Sequence, residues 1–254
     1  MLSLLSPLFK PLRIVLLAGS AMVAISACAA TRPPTSALGY AAGQPQLGIA
    51  ELTTRYRANP KDKGTIITYS AALRAAGQSG QAVAVLEQGV GTYPNDPDIA
   101  VAYAKALTAD GRFEQSLGVL DRVIRPDAPD WNALLVKGAA LDQLGRNAEA
   151  RQVYGQALVM APGEASIEAN LGLSYAMTNE LGAAEQHLRR AAQMPGTTSK
   201  IRQNLALIVG LQGRFDEARK LYAAELPPDQ VESNMAYVRS MLTQQNRWDA
   251  VAKG

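Results

Sequence analysis

Cysteine, histidine and aromatic residues are scarce in this chain of 254 residues. It contains one cysteine, Cys28, and one histidine, His187, and aromatic residues make up 6% of the total. A single cysteine excludes an internal disulfide, and a single histidine leaves a histidine-based metal site or catalytic triad without partners. Few aromatic residues and abundant alanine favour packed helices over a β-sandwich, because alanine favours helix whereas aromatic and β-branched residues favour strands.

An excess of charge of one sign is also missing. The net charge is +3, from 25 basic and 22 acidic residues, but residues 1–27 hold two of the basic residues (Lys10 and Arg13) and no acid. The rest of the chain is therefore nearly neutral, which gives no electrostatic reason to bind nucleic acid. Glycine-rich phosphate loops and Gly-x-Ser-x-Gly motifs are absent as well. The sequence predicts no catalytic residue, no cofactor, no metal and no small-molecule substrate.

Three polar residues are candidates for chemistry: His187, Asp142 and Glu149. His187 lies in a predicted second helix beside an apolar residue, and it is expected to face solvent or to be partly packed. Asp142 and Glu149 lie on either side of a predicted turn between helices. Acids so placed are interpreted as surface charges rather than as an acid–base pair.

The segment 1–27 has the form of an export signal. Lys10 and Arg13 provide a positive region, and an uncharged, mainly apolar run extends from Ile14 to Ile25. That run is too short to span a bilayer as a helix, which takes about 20 residues. Small residues then precede the only cysteine, in the sequence Ile-Ser-Ala-Cys. Residues 28–45 are rich in Ala, Pro, Gly and Ser and are predicted to form a flexible tether.

This ending resembles a bacterial lipobox, with Ile25 where leucine is usual. The resemblance implies that Cys28 is the lipidated first residue of the mature protein, and acyl chains anchor a protein to a membrane through their apolar burial. Ala29, in place of aspartate, implies the periplasmic face of the outer membrane by the enterobacterial sorting rule. The alternatives are a plain secretory signal cut near residue 29 or 30, and a cytosolic chain with an incidental apolar start.

A pattern of small and large residues recurs with a fixed period from residue 63 to residue 232. Each unit has a small residue in its first helix, at Ser70, Ala104, Gly138, Gly172 and Ala206. Each has another in its second helix, at Ala82, Ser116, Ala150, Ala184 and Ala218. A large residue follows, at Leu86, Leu120, Tyr154, Leu188 and Tyr222. Four glycines are expected to end first helices, because glycine adopts the left-handed conformation at little cost: Gly77, Gly111, Gly145 and Gly213.

The pattern resembles the tetratricopeptide repeat (TPR), a helix–turn–helix unit of about 34 residues. The resemblance implies an all-α TPR solenoid, a right-handed superhelix of antiparallel helix pairs, over residues 46–254. Five repeats are predicted at 63–96, 97–130, 131–164, 165–198 and 199–232. A half repeat at 46–60 and a capping unit at 233–254 should cover the two ends. Within the capping unit, Asn246-Arg247-Trp248 echoes Gly213-Arg214-Phe215 and predicts the turn of a truncated sixth repeat.

The resemblance also implies a concave groove, lined by first helices, in which a peptide lies. The family's groove-facing positions fall on Ile67, Ala71, Arg74, Val101, Lys105, Thr108, Leu135, Ala139, Asp142, Asn170, Leu173, Met177, Gln203, Asn204 and Leu207. Asn170 and Asn204 hold the same position in consecutive repeats, and they either bond a ligand's main chain or lie on the helix surface. Arg74 and Lys105 do not reproduce the pattern of TPRs that clamp a C-terminal carboxylate. The largely apolar lining favours an apolar or amphipathic segment.

The leader, the five repeats and the phrase Ser233 to Leu242 together resemble the TadD lipoproteins of the Tad (tight adherence) system, which assembles Flp pili. That resemblance implies a non-enzymatic scaffold or pilotin that binds the outer-membrane secretin or other pilus-machine subunits. Three alternatives remain. The first is another envelope TPR adaptor, such as a type IV pilus pilotin or a cell-wall assembly factor. The others are a peptidase-like or regulatory subunit, and a cytosolic co-chaperone.

Overall fold

The computed structural model describes residues 48–125, 127 and 129–253, and this part of the chain folds into twelve α-helices. Their bounds are α1 Ile49–Ala58, α2 Lys63–Ala75, α3 Ser79–Thr92, α4 Pro97–Ala109, α5 Phe113–Val123, α6 Trp131–Gln143, α7 Asn147–Met160, α8 Ala165–Met177, α9 Leu181–Gln193, α10 Ser199–Leu211, α11 Phe215–Ala223 and α12 Pro228–Lys253. The predicted all-α solenoid is confirmed. The predicted export signal, Cys28 and the tether lie outside the described residues, as do residues 46 and 47 of the predicted half repeat.

The helices keep the register of the sequence pattern. The first helices of the five units (α2, α4, α6, α8 and α10) begin one repeat length apart, and so do the second helices (α3, α5, α7, α9 and α11). Side-chain caps fix several of these starts. The carboxylate of Asp62 accepts a hydrogen bond from the Thr65 amide, and that of Asp96 accepts from the amides of Asp98 and Ile99. Such caps satisfy amide groups that would otherwise lack a partner.

Left-handed residues end the first helices, as the glycine pattern predicts. Gly77, Gly111, Gly145 and Gly213 have φ angles of 75°, 79°, 77° and 81°. In the fourth unit the same place is taken by Asn179, with φ of 63°. Asparagine is the residue that most often replaces glycine there.

The small residues of the pattern bring paired helices close together. A Cβ atom built at Gly138 would lie 2.3 Å from Cε1 of Tyr154, and one built at Gly172 would lie 2.9 Å from Cγ of Leu188. Both large partners are fully buried. The same arrangement recurs along the stack, so each unit buries its apolar face against its neighbours.

Helix α12 closes the C-terminal end of the stack. Val231, Met235 and Val238 are buried in the cluster that includes residues of α10 and α11. The helix then continues through Asn246 to Lys253, so the predicted turn of a sixth repeat is absent. The physical reason is that residues 229–253 contain neither glycine nor proline, and nothing in that segment stops a helix. None of the described helices is both long enough and apolar enough to cross a membrane.

Candidate functional site

The candidate site is a cavity of about 360 Å³ in the groove formed by α2, α4 and the start of α6. Its lining includes five of the predicted groove residues: Ile67, Ala71, Arg74, Val101 and Lys105. Helix α4 packs against both α2 and α6. Ile67, Ala71 and Arg74 follow a spacing of four and three residues along α2, which places them on one face of that helix. Val101 and Lys105 are four residues apart on α4 and face the same space.

Lys105 is the unusual side chain of this cavity. It is half-buried, and its ammonium group has no hydrogen bond or ion pair among the residues that the structure describes. Burial lowers the pKa of Lys105, the nearby Arg74 guanidinium lowers it further, and Asp130 acts in the opposite direction. Placing a cation where water is partly excluded is costly unless an opposite charge accompanies it.

The two carboxylates at the rim of the cavity, Asp98 and Asp130, are both engaged elsewhere. Asp98 Oδ2 lies 2.7 Å from Nζ of Lys63. Asp130 caps α6 and accepts a hydrogen bond of 3.0 Å from the Asn132 amide. Neither acid is within 4.0 Å of the Lys105 ammonium group.

The other predicted groove residues do not line this cavity. Leu135, Leu173 and Met177 are partly exposed on α6 and α8, whereas Leu207 is buried on α10. The Asn170 amide donates to the Ser166 carbonyl at 2.9 Å. Gln203 and Asn204 are partly exposed on α10, and Gln203 donates to Ser199 Oγ at 2.9 Å. Thr108 and Ala139 are also partly exposed, and the Thr108 hydroxyl donates to the Ala104 carbonyl at 2.9 Å. The two asparagines thus stay candidates for contact with a ligand's main chain.

The prediction that Asp142 is a surface charge is wrong. Asp142 is 5% exposed, and its carboxylate accepts hydrogen bonds from Tyr154 (3.0 Å), Ser174 (2.7 Å) and Asn147 (2.7 Å). Burial raises the pKa of Asp142, and the three hydrogen bonds oppose that rise. The side chain faces α7 and α8, so it joins two repeats rather than offering charge to a ligand. Glu149, by contrast, is exposed and pairs with Arg146.

His187 is partly packed, in agreement with one of its two predicted placements. Its Nδ1 atom lies 2.7 Å from Oε2 of the buried Glu168, and its ring stacks on Tyr175 with centroids 5.2 Å apart. The Arg190 guanidinium also reaches Glu168, at 3.2 Å, and that of Arg151 lies 4.0 Å from the Tyr175 ring centroid. Sequence reasoning missed Glu168 and Arg151, because each finds its partners on a neighbouring helix. The cluster joins α7, α8 and α9.

A larger cavity, of about 610 Å³, lies between α3, α4 and α5 and shares Asp98 and Asp130 with the groove cavity. Helix α5 ends at Val123, three residues before the point where α3 and α7 end in their own units. The sequence has Pro126 two residues ahead of the position that corresponds to Pro94 and Pro162. Proline disfavours helix both at its own position and at the residue before it.

In the described part of the chain, no group of three or more His, Cys, Asp and Glu side chains could hold a metal ion.

Comparison with known families matches two stretches of the chain to tetratricopeptide-repeat models, at residues 73–138 and 135–197. Together these stretches cover α3 to α9. Repeats of this kind bind protein partners and are typically non-enzymatic interaction modules. No curated protein matches the chain in sequence.

Solved structures of TPR proteins share the fold. A thermophilic TPR protein of Thermus thermophilus, TTC0263, aligns with a TM-score of 0.62 and 23% identity over 70% of this chain and 98% of its own. Human IFIT1 bound to PPP-AAAA aligns with a TM-score of 0.60 and 16% identity over 75% of this chain. A chain of the APC/C Cut9–Hcn1 hetero-tetramer aligns with a TM-score of 0.61 and 14% identity over 76%. This chain spans only 48% and 39% of the last two.

Proposed function

We propose that this chain, which contains tetratricopeptide repeats, is a lipid-anchored scaffold of the bacterial outer membrane that binds a segment of a Tad-type pilus machine. The observation that carries the binding part is the groove cavity, where α2, α4 and α6 surround a space lined by both apolar and charged side chains and large enough for side chains of a partner. The partner class proposed is protein, in particular the outer-membrane secretin or another subunit of the pilus machine.

The anchoring part rests on the sequence. The apolar run from Ile14 to Ile25 is followed by Cys28 in a lipobox-like context, and a stretch rich in Pro, Gly and Ser separates that residue from α1. A lipid at Cys28 would hold the solenoid beside the membrane. The groove would then raise the local concentration of the captured subunit at that membrane.

The assignment to the Tad system rests on the leader, the five units and the phrase from Ser233 to Leu242. In the structure, that phrase is part of α12, whose Met235 and Val238 are buried. The same architecture also suits another envelope adaptor, such as a type IV pilus pilotin or a cell-wall assembly factor.

The test is deletion of the gene, followed by measurement of multimeric secretin in outer-membrane fractions. Complementation uses the wild-type chain, Cys28→Ala, and a control in which a plain secretory signal replaces residues 1–28, so that the repeats are exported without a lipid. Loss of secretin multimers that only the wild type restores is the expected result. Normal multimers with lost pili would assign the chain to a later assembly step.

Two outcomes would refute parts of the proposal. If Cys28→Ala remains in the membrane fraction and restores pili fully, the anchoring part is wrong. If the deletion strain makes normal multimers and normal pili, the chain acts outside the Tad system, and the envelope adaptor becomes the better assignment.

A further inference from the structure

The inference concerns the unpaired charge in the groove cavity. Three lysines of the first three repeats can be compared. Lys63 Nζ lies 2.6 Å from Asp96 and 2.7 Å from Asp98, and Lys137 Nζ lies 2.7 Å from Asp121. Lys105 is half-buried like these, yet no carboxylate of the described residues comes within 4.0 Å of it. Asp130 attracts Lys105 only from beyond contact distance. A partly desolvated cation with no carboxylate in contact is unfavourable in the free protein and gains from an anionic ligand.

The charges around Lys105 limit how much negative charge the cavity accepts. Arg74 lines the same space and adds a second positive charge. Asp98 and Asp130 stand at the rim, and they would repel a run of acidic residues. A single carboxylate beside Lys105 and Arg74 is therefore the best electrostatic match.

The walls of the cavity determine what must accompany that carboxylate. Ile67 and Ala102 are partly exposed and provide apolar surface from α2 and α4, whereas Ala71 and Val101 also line the cavity but are buried. Apolar side chains on both sides of the acid would cover this surface and exclude water from the ion pair. A free small anion would leave the surface exposed, and it would gain little from the walls.

We propose that the cavity between α2 and α4 binds one internal aspartate or glutamate side chain, flanked by apolar residues, of a partner polypeptide. This inference rests on the proposed function of the groove as a peptide-binding surface. It adds which kind of side chain the cavity between α2 and α4 would bind. The acid lies between the Lys105 ammonium and the Arg74 guanidinium, and its neighbours pack on Ile67 and Ala102. Lys105 is the specificity-determining residue of the subsite.

The experiment selects peptides from a random phage-displayed library on the purified full chain in detergent micelles. Displayed peptides have no free C-terminus, so an acid preference in the selected set must come from internal side chains. A peptide with one glutamate is then made with capped ends, together with its Glu→Gln version. A third version carries the glutamine and a free C-terminal carboxylate. Dissociation constants are measured on the wild type, on Lys105→Met and on the matched control Lys137→Met, which removes a lysine that is already paired with Asp121.

The expected result is a selected set in which one acidic residue recurs among apolar ones. The glutamate peptide should bind the wild type and Lys137→Met about tenfold more tightly than it binds Lys105→Met, as expected for loss of one charge-assisted hydrogen bond. The glutamine peptide should bind all three proteins within roughly twofold of one another, because the two changes remove the same interaction. Thermal denaturation of Lys105→Met checks that the variant is folded.

Four results would overturn the inference. Selected peptides without an acidic preference would refute it while leaving peptide binding by the groove intact. Equal binding of the glutamate peptide to the wild type and Lys105→Met would do the same. Restoration of affinity by the free C-terminal carboxylate would show a terminal carboxylate site instead. If no peptide is selected at all, the groove is not a peptide-binding surface, and the proposed binding function fails together with the inference.

Discussion

Alanine in place of Gly138 tests how closely α6 and α7 must approach each other. A Cβ atom at this position would lie 2.3 Å from Cε1 of Tyr154 and 2.7 Å from its Cδ1 and Cζ atoms. Carbon atoms in contact are normally about 3.5–4.0 Å apart, so the ring would have to move by more than about 1 Å. Tyr154 is 1% exposed and its hydroxyl donates to the buried Asp142 carboxylate, so no free space receives the ring without loss of that bond.

The magnitude follows from three contributions. Overpacking of a core costs about 1–3 kcal/mol. Weakening a hydrogen bond to a charged group adds about 1.5 kcal/mol. Alanine favours helix over glycine by about 1 kcal/mol, which acts in the opposite direction. We expect Gly138→Ala to lower the free energy of unfolding by about 2 kcal/mol, measured by urea denaturation and followed by circular dichroism at the helix band.

Gly155 on α7 is the matched control. No atom lies within 4 Å of a Cβ built there, so Gly155→Ala should keep only the helix-propensity gain and raise stability by about 0.5–1 kcal/mol. Opposite signs for two identical substitutions on adjacent helices are the expected outcome. If Gly138→Ala proved as stable as the wild type, the close contact with Tyr154 would not be what requires a small residue.

Three further predictions concern buried ionisable groups. Asp142→Ala leaves the Tyr154 and Ser174 hydroxyls without their acceptor and should cost about 2–3 kcal/mol in urea denaturation, whereas Asp142→Asn, which keeps an acceptor, should cost less. Burial raises the pKa of Tyr222 to about 12, so the folded state keeps a proton that the unfolded chain loses near pH 10. The free energy of unfolding should therefore fall as the pH rises from about 10 to about 12, and it should fall less in Tyr222→Phe. Burial lowers the pKa of Lys105, so the charged form of this side chain destabilises the fold at pH 7. Lys105→Met should therefore melt at the same temperature as the wild type or at a higher one. A clearly lower melting temperature would show that Lys105 has a stabilising partner.

The repeat register was predictable because it depends on local chemistry. Left-handed residues must end the first helices, and small residues must stand where helices cross. Both requirements select residue types at fixed spacing, so Gly111 and Ala184 could be assigned from the sequence alone. The groove-side positions of Lys105 and Arg74 came from the resemblance to the repeat family, whose groove-facing positions recur in every unit.

The buried polar contacts could not be predicted in this way. Helical spacing predicts which face of α6 carries Asp142, but it does not predict which side chains of α7 and α8 that residue will contact. Its partner Ser174 is 32 residues away, and Glu168 meets His187 over 19 residues. Such contacts depend on how one repeat docks on the next. A helix from Val231 to Gln245 was expected, but its continuation to Lys253 was missed, because the likeness of Asn246 to Gly213 does not show that a helix stops where glycine is absent.

Polar side chains at buried or half-buried positions differ between the first two repeats and the third and fourth. In the third and fourth repeats the buried side chains Asp142, Glu168 and Ser174 all have hydrogen-bond partners, although two buried atoms there, Arg151 Nε and Thr197 Oγ1, have none. The hydrogen bonds of the three buried side chains strengthen contacts between units and favour one rigid arrangement. In the first two repeats such a side chain is the half-buried cation Lys105, with no hydrogen bond or ion pair from the described residues. An unsatisfied charge costs stability in the free protein, and sites that break local rules in this manner are where function is expected. Recognition by charge is therefore expected at α2 and α4, while the later repeats hold the shape of the groove along which the rest of a partner would lie.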